Sequence, residues 1–193
     1  PPVLRRFTAQ HPQVRLDMRF MDSEIACAAV LRGEVEVAII TLPPQVEPPL
    51  TALPLWSDPL AAVAARAHPL VARSPVPPDQ LEDYPAILPG EGTFTRRVIE
   101  EGLARAGVHP PVAFATNFLE TIKMMVVVGL GWSVLPRTML DQELVELHID
   151  GLGLERTLGA VRHTSHTLSN AARALLVILR GAPPSSPLNS PME

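Results

Sequence analysis

The chain has 193 residues, is 47% hydrophobic and carries a formal charge of −4 at neutral pH. That is enough length for one domain or two small ones and enough apolar content for a packed core, which excludes a disordered chain. A pI of about 5.9 gives no global basic field to attract nucleic acid, and no apolar run approaches the roughly 20 residues of a membrane span.

The first residues, "PPVLRRFTAQHPQ", read as the inside of a first helix, with no signal peptide, and suggest an N-terminal truncation. In "VRLDMRF" Val14, Leu16, Met18 and Phe20 alternate with Arg15, Asp17 and Arg19, the period-two pattern of a strand. Ser23 is a suitable N-cap for the next helix, along which Ile25, Ala28, Ala29 and Arg32 recur at helical spacing until Gly33 stops it. Val35, Val37, Ile39 and Ile40 then predict a second strand ending at Thr41. Strand, helix and strand with tight joints make a βαβ unit, which implies parallel pairing.

Further on, "PAILP" predicts a strand that leads through "GEG" into the helix "TFTRRVIEEGLARAG", capped by Thr93 or Thr95 and ended at Gly107. A second unit of the βαβ design follows: "VAFAT", a polar joint at Thr116 and Asn117, the helix "NFLETIKMMVVVG", and the strand "WSVLP". The Met124-Met125-Val126 stretch suits a helix buried on most sides. Residues 168–180 predict a closing helix with Leu175, Ile178 and Leu179 on one face, and residues 182–193 a loose Pro/Ser-rich tail.

The sequence offers little for several other chemistries. Cys27 is the only cysteine, so no internal disulfide forms, and in "EIACAAVLRG" it reads as a small buried hydrophobe in a reducing compartment. Lys123 is the only lysine; the preference for arginine reads as codon bias. His163 and His166 have a spacing that would suit a metal on a helix, but they fall at a strand end and loop, and surface histidines are the better reading. Gly129-Leu-Gly131 follows a helix instead of opening one, so it is not a dinucleotide loop. Glu100 and Glu101 are adjacent on a helix and diverge. No GxSxG elbow occurs. In "GEGTFTRR", Arg96 and Arg97 either assist anion binding or stand exposed and solvated. Trp132, at the start of a buried strand, is expected in the core, whereas Phe118 is left open between core and ligand.

In parallel sheets ligands bind beyond the carboxyl ends of strands, beside the first turns of following helices. Ser23, Thr41, Thr93 and Asn117 all fall at such places. Each alone could be a plain cap; together they suggest a ligand site in which helix N-termini favour an anion.

The run "FTAQHPQVRLDMRFMDSEIACAAVLRGEVEVAII" resembles the opening of the effector-binding domain of LysR-type transcriptional regulators. "LWSDPLAAVAARAHPLV", "GLARAGVHPPVAFATNFLETIKMMV" and "GLGWSVLPRTML" are similar to later segments of that domain, in the family's order, so the resemblance runs from residue 1 to about 181. It implies an α/β fold of the type 2 periplasmic-binding-protein kind, with two Rossmann-like lobes joined by two crossover segments around a cleft for a small effector. Lobe I would cover residues 1–56 and 161–181, with its first strand missing, and lobe II residues 57–160. By position, Ser23, Thr41 and Asn117 match family effector contacts; Thr93 and Phe94 correspond more approximately, and Phe118 joins them as a candidate. The resemblance further implies a cytoplasmic homodimer or higher homo-oligomer that binds and does not catalyse. It would need no metal or cofactor, have no membrane partner, and contact DNA only through an absent N-terminal helix-turn-helix. A solute-binding protein of a transporter shares the fold and is the alternative.

Overall fold

The computed structural model describes residues 2–182, so most of the predicted tail lies outside the described residues. The chain forms two compact units. Within the described residues, unit 1 contains 2–57 and 157–182, and unit 2 contains 58–156.

Unit 1 begins with α1 (Pro2–Gln10), whose Phe7 is buried, and α2 (Ser23–Leu31), which buries Ala26, Ala29 and Val30. α2 stops as the sequence predicts: the amides of Gly33 and Glu34 turn back to the carbonyls of Val30 and Ala29 at 3.0 and 2.9 Å. Gly33 takes a φ of +70°, where any other L-residue is strained. Strand β1 (Ala38–Thr41) pairs antiparallel with β7 (Leu154–His163), Ala38 opposite Val161 and Thr41 opposite Leu158. The first part of β2 (Leu50–Ala65) lies on the other side of β7. Helix α5 (Asn170–Arg180) closes the unit with Ile178 and Leu179 buried; Ser169 Oγ caps it by accepting from Ala172 N–H at 3.1 Å.

Two expectations fail in this unit. Residues 14–20 alternate in polarity but form no strand, and β1 begins at Ala38 instead of Val35. An alternating segment becomes a strand only when a neighbour supplies the other half of the ladder. Among the described residues none does so for 14–20, and Phe20 stands 89% exposed. The predicted parallel βαβ pairing is therefore absent, and β1 takes an antiparallel partner over a hundred residues away in sequence.

Unit 2 is built on the second part of β2, which pairs antiparallel with β5 (Trp132–Pro136) and with β6 (Leu144–Glu146). The sheet continues through β3 (Ala86–Leu88), parallel to β5, and ends at β4 (Val112–Ala115), parallel to β3. The second βαβ unit thus forms, but with β3 inserted between its two strands. Helices α3 (Phe94–Arg105) and α4 (Leu119–Val127) complete the unit.

Two hydrophobic clusters fill unit 2. One gathers Leu60, Leu81, Leu88, Ile99, Leu103 and Val134 around Trp132; the other gathers Val63, Ile87, Leu135 and Leu144 under Ile122 and Val126 of α4. Trp132 is wholly buried, in agreement with the expectation. The Met124–Val126 stretch departs from it: Val126 is buried, but Met124 is 59% exposed. α4 covers the sheet with one face only, and no second layer of the described chain covers its other face.

His68 sits ahead of a 3₁₀ turn (Pro69–Arg73), where its Nδ1 accepts from Leu70 N–H at 3.2 Å and its ring meets Tyr84 edge-on at 4.9 Å. Burial pushes its pKa below the usual histidine value, so the folded chain holds fewer protons here than the unfolded one between the two pKa values. The corresponding stability is complete above about pH 6.5 and lost as the pH falls through the folded pKa. Thermal unfolding between pH 7.5 and 5.5 is expected to show a smaller loss of stability for His68→Asn than for the parent chain. Equal losses would remove His68 from the account.

Candidate functional site

In unit 1, β1 delivers Thr41 to the carboxyl end of the strand, where it is buried at 4% exposure. Ser23 is the first helical residue of α2, not its cap; that position belongs to Asp22, whose side chain makes no capping bond. The Ser23 hydroxyl instead accepts from Thr41 N–H at 3.2 Å. Ser23 therefore ties the start of one element to the end of another, eighteen positions away.

In unit 2, the joints after β3 and β4 come together because these strands are parallel neighbours, with Leu88 opposite Ala115. Asn117 Oδ1 accepts from Gly90 N–H at 2.8 Å. A side chain at Gly90 would put its Cβ 2.5 Å from that oxygen, so the bridge requires glycine. Thr93 is the N-cap of α3: its Oγ1 accepts from Arg96 N–H at 3.2 Å and donates to Gly90 O at 2.9 Å. Asn117 was expected to head α4, but Phe118 holds the N-cap position, 75% exposed, with its N–H directed to Thr116 Oγ1 at 3.4 Å. Phe94 opens α3, and the Arg97 guanidinium lies 5.8 Å from the centre of its ring.

The loop 89–93 is also held from behind. Arg96 is only 6% exposed, which overturns the option that both arginines of "GEGTFTRR" are solvated. Its Nη1 donates to Pro89 O at 2.9 Å and its Nε to Glu100 at 2.7 Å. The Arg96 charge is met by Glu100, so it is the positive end of the α3 dipole, with its free amides, that favours an anion at this loop.

Unit 1 thus joins Ser23 to Thr41, and unit 2 gathers Thr93, Phe94, Asn117 and Phe118 at two adjacent strand ends. The remaining candidates sort differently. Burial, and secondarily Glu24, raise the Cys27 pKa and keep the thiol protonated, a poor nucleophile. His163 and His166 stack with ring centroids 3.9 Å apart, and His163 Nδ1 accepts from Ser165 N–H at 3.1 Å. Among the described residues no group of three or more His, Cys, Asp or Glu is placed to hold a metal. No described helix is long and apolar enough to cross a membrane.

Two polar residues near the site went unmarked in the sequence. Asp58 and Arg156 form an ion pair at 2.7 Å with side chains only 11% and 12% exposed, and Arg156 also reaches Thr95 on α3. The signal for Asp58 was an acid at the head of the apolar run "PLAAVAA"; nothing local marked Arg156.

Residues 1–183 match the LysR substrate binding domain. The chain belongs to the LysR family. A regulator from Escherichia coli K12, YeiE, is 31% identical over 181 residues, covering 91% of this chain and 61% of its own length. CbbR of Rhodospirillum rubrum is 28% identical over 187 residues, 94% of this chain and 61% of the relative. Both are named as HTH-type transcriptional regulators. The chain spans about half to three fifths of the length of the curated relatives it matches. Among solved structures, the regulatory domain of CcmR from Synechocystis PCC6803, in complex with 2-PG, is 26% identical with a TM-score of 0.83, covering 94% of this chain and 89% of that one. The effector-binding domain of QuiR in complex with shikimate is 20% identical with a TM-score of 0.82 over 94% and 88%, a likeness of fold. This LysR substrate-binding domain therefore has the periplasmic-binding-protein-like fold the resemblance implied.

Proposed function

We propose that this chain is the effector-sensing domain of a cytoplasmic LysR-type transcriptional regulator, taking a small anion at the polar strand ends described above. Its work is binding, not catalysis, and it acts on DNA only through a helix-turn-helix elsewhere in the regulator. The carrying observation is the match over residues 1–183. Support at the site comes from the Thr93, Asn117 and Gly90 bonds beside the α3 N-terminus, and from Ser23 and Thr41 in unit 1. A transport receptor of the same fold is disfavoured, because the relatives are named as regulators. To regulate, the effector must bind one arrangement of the protein better than another; about 1.4 kcal/mol of differential binding shifts that equilibrium tenfold.

Calorimetry against a panel of small carboxylates and phosphates, including 2-PG and shikimate, tests the site. Asn117→Ala releases the loop at Gly90 and is expected to weaken the best ligand about tenfold, the upper scale of one lost neutral hydrogen bond. Thr41→Val is expected to act in the same direction with the fold intact. Unchanged affinity in both variants would sink the assignment.

The same reading includes a homodimer. Supporting it are large apolar side chains left exposed in each unit: Met124, Val128, Val112 and Phe114 in unit 2, and Phe20 and Ile25 in unit 1. β4 ends the strand order, so its free edge carries Val112 and Phe114. Val128→Asp is expected to raise the dimer dissociation constant at least tenfold in sedimentation, as burying an unpaired charge would. A dimer of undiminished affinity would exclude this face.

A further inference from the structure

Asp58 and Arg156 occupy particular places in the chain. Asp58 is the first residue of unit 2 on β2, the strand that arrives from unit 1; Arg156 is the last residue of unit 2 on β7, the strand that leaves it. Arg156 Nε donates to Asp58 Oδ2 at 2.7 Å, and its Nη1 donates to Thr95 Oγ1 at 3.0 Å. Thr95 is the second residue of α3, two positions after the cap Thr93. A guanidinium is planar, and its donors are fixed relative to one another. One side chain therefore holds both crossover strands and the first turn of α3 in a single geometry.

The connection continues on the other side of Arg156. The carbonyl of Thr157, the next residue, accepts from Leu42 N–H at 2.8 Å, and Leu42 directly follows Thr41. A path thus runs from the cap of α3 through Thr95, Arg156, Thr157 and Leu42 to Thr41. Each hydrogen bond in it lies within one unit, and the step from unit 2 to unit 1 is the peptide bond between Arg156 and Thr157.

We propose that Arg156 is a positioning residue that couples the first turn of α3 to the Thr41–Leu42 segment, so that a change at one is felt at the other. A plain structural ion pair would hold β2 to β7 without reaching Thr95, and apolar residues would serve that purpose as well or better. The second contact, to a hydroxyl on the helix that starts the candidate site, distinguishes a coupling element from a staple. For the regulator the consequence is reciprocity: an effector group that tightens the first turn of α3 improves the site presented at Thr41, and the reverse. This consequence rests on the effector reading above; the coupling itself does not.

Amide hydrogen exchange of the chain without ligand tests the coupling. Thr95→Val removes the acceptor and leaves the Asp58–Arg156 pair in place. Exchange at the Leu42 amide is expected to rise between about threefold and thirtyfold, the range of energetic coupling along packed networks. The amides of Ala61 and Val63, in the β2 core, should stay unchanged, and Thr95→Ser, which restores the hydroxyl, should return Leu42 to the parent rate. Arg156→Lys keeps the charge beside Asp58 but not the fork, and is expected to match Thr95→Val. A parent-like Leu42 rate in Thr95→Val or in Arg156→Lys would overturn the proposal, as would failure of Thr95→Ser to restore it. Because no ligand is added, a negative calorimetric result would sink the effector reading and leave this one standing.

Discussion

Replacing Trp132 with alanine is expected to cost the fold about 3–5 kcal/mol, the range for emptying a large buried aromatic site. The side chain is wholly buried at the start of β5, within the cluster that includes Leu81, Leu88, Ile99 and Leu103. Its Nε1–H is shared between the carbonyls of Leu81 and Tyr84, 3.1 Å from each. Truncation therefore opens a cavity and removes the donor that two carbonyls share. Trp132→Phe separates these losses. It keeps much of the volume and removes the donor, for an expected cost of about 1–3 kcal/mol. Urea denaturation of the two variants gives both values. An alanine variant within about 1 kcal/mol of the parent would show that the site collapses without a cavity, contrary to close packing.

The second large effect belongs to Asp58. Asp58→Ala leaves the Arg156 guanidinium, 12% exposed, without its carboxylate. Removing one partner of a buried pair costs about 3–5 kcal/mol; with a tenth of each side chain still wet, about 2–4 kcal/mol is expected here. Asp58→Asn keeps an acceptor and should cost less. Screening should be weak, because the pair is mostly out of water, so the cost measured in 50 mM and 500 mM salt should be nearly the same. A cost below about 0.5 kcal/mol, or one that disappears in salt, would class the pair with ordinary surface ion pairs.

The elements most legible in the sequence were those whose signal is complete within a dozen residues. The "VVVGLGWSVLP" run placed the end of α4, a turn and a buried strand, because a glycine stop and an unbroken apolar strand need no distant partner to be recognised. That α3 is capped at Thr93 or Thr95 was legible for the same reason, since a cap bonds within three residues, and the structure gives the position to Thr93. "VRLDMRF" shows the converse: its alternation is as regular as any in the chain, yet it forms no strand. Periodicity specifies a face, and only a neighbour completes a ladder.

At the site, the polar residues at strand ends were readable by position but not by role. Ser23 and Asn117 looked like caps because caps are local; each instead bridges to another element, at Thr41 and at Gly90. Nothing in the sequence separates an exposed Arg96 from an anion-assisting one; its burial follows from the contact of its guanidinium with Pro89 O, seven residues back. Asp58 and Arg156 are 98 positions apart, and no local pattern pairs them.

The sequence by itself determined the family, the order of α3, β4, α4 and β5, the burial of Trp132 and the polar residues that end β1 and follow β3 and β4. These depend on spacing along the chain, which local hydrophobicity and capping chemistry express directly. Tertiary structure alone decided which strand β1 pairs with, that Met124 faces outward while Val126 is buried, and which hydroxyl and carboxylate the Arg156 guanidinium would join. Those outcomes depend on groups brought together across tens of residues. A buried charge or a strand edge is satisfied by whatever the fold places beside it, not by its neighbours in sequence.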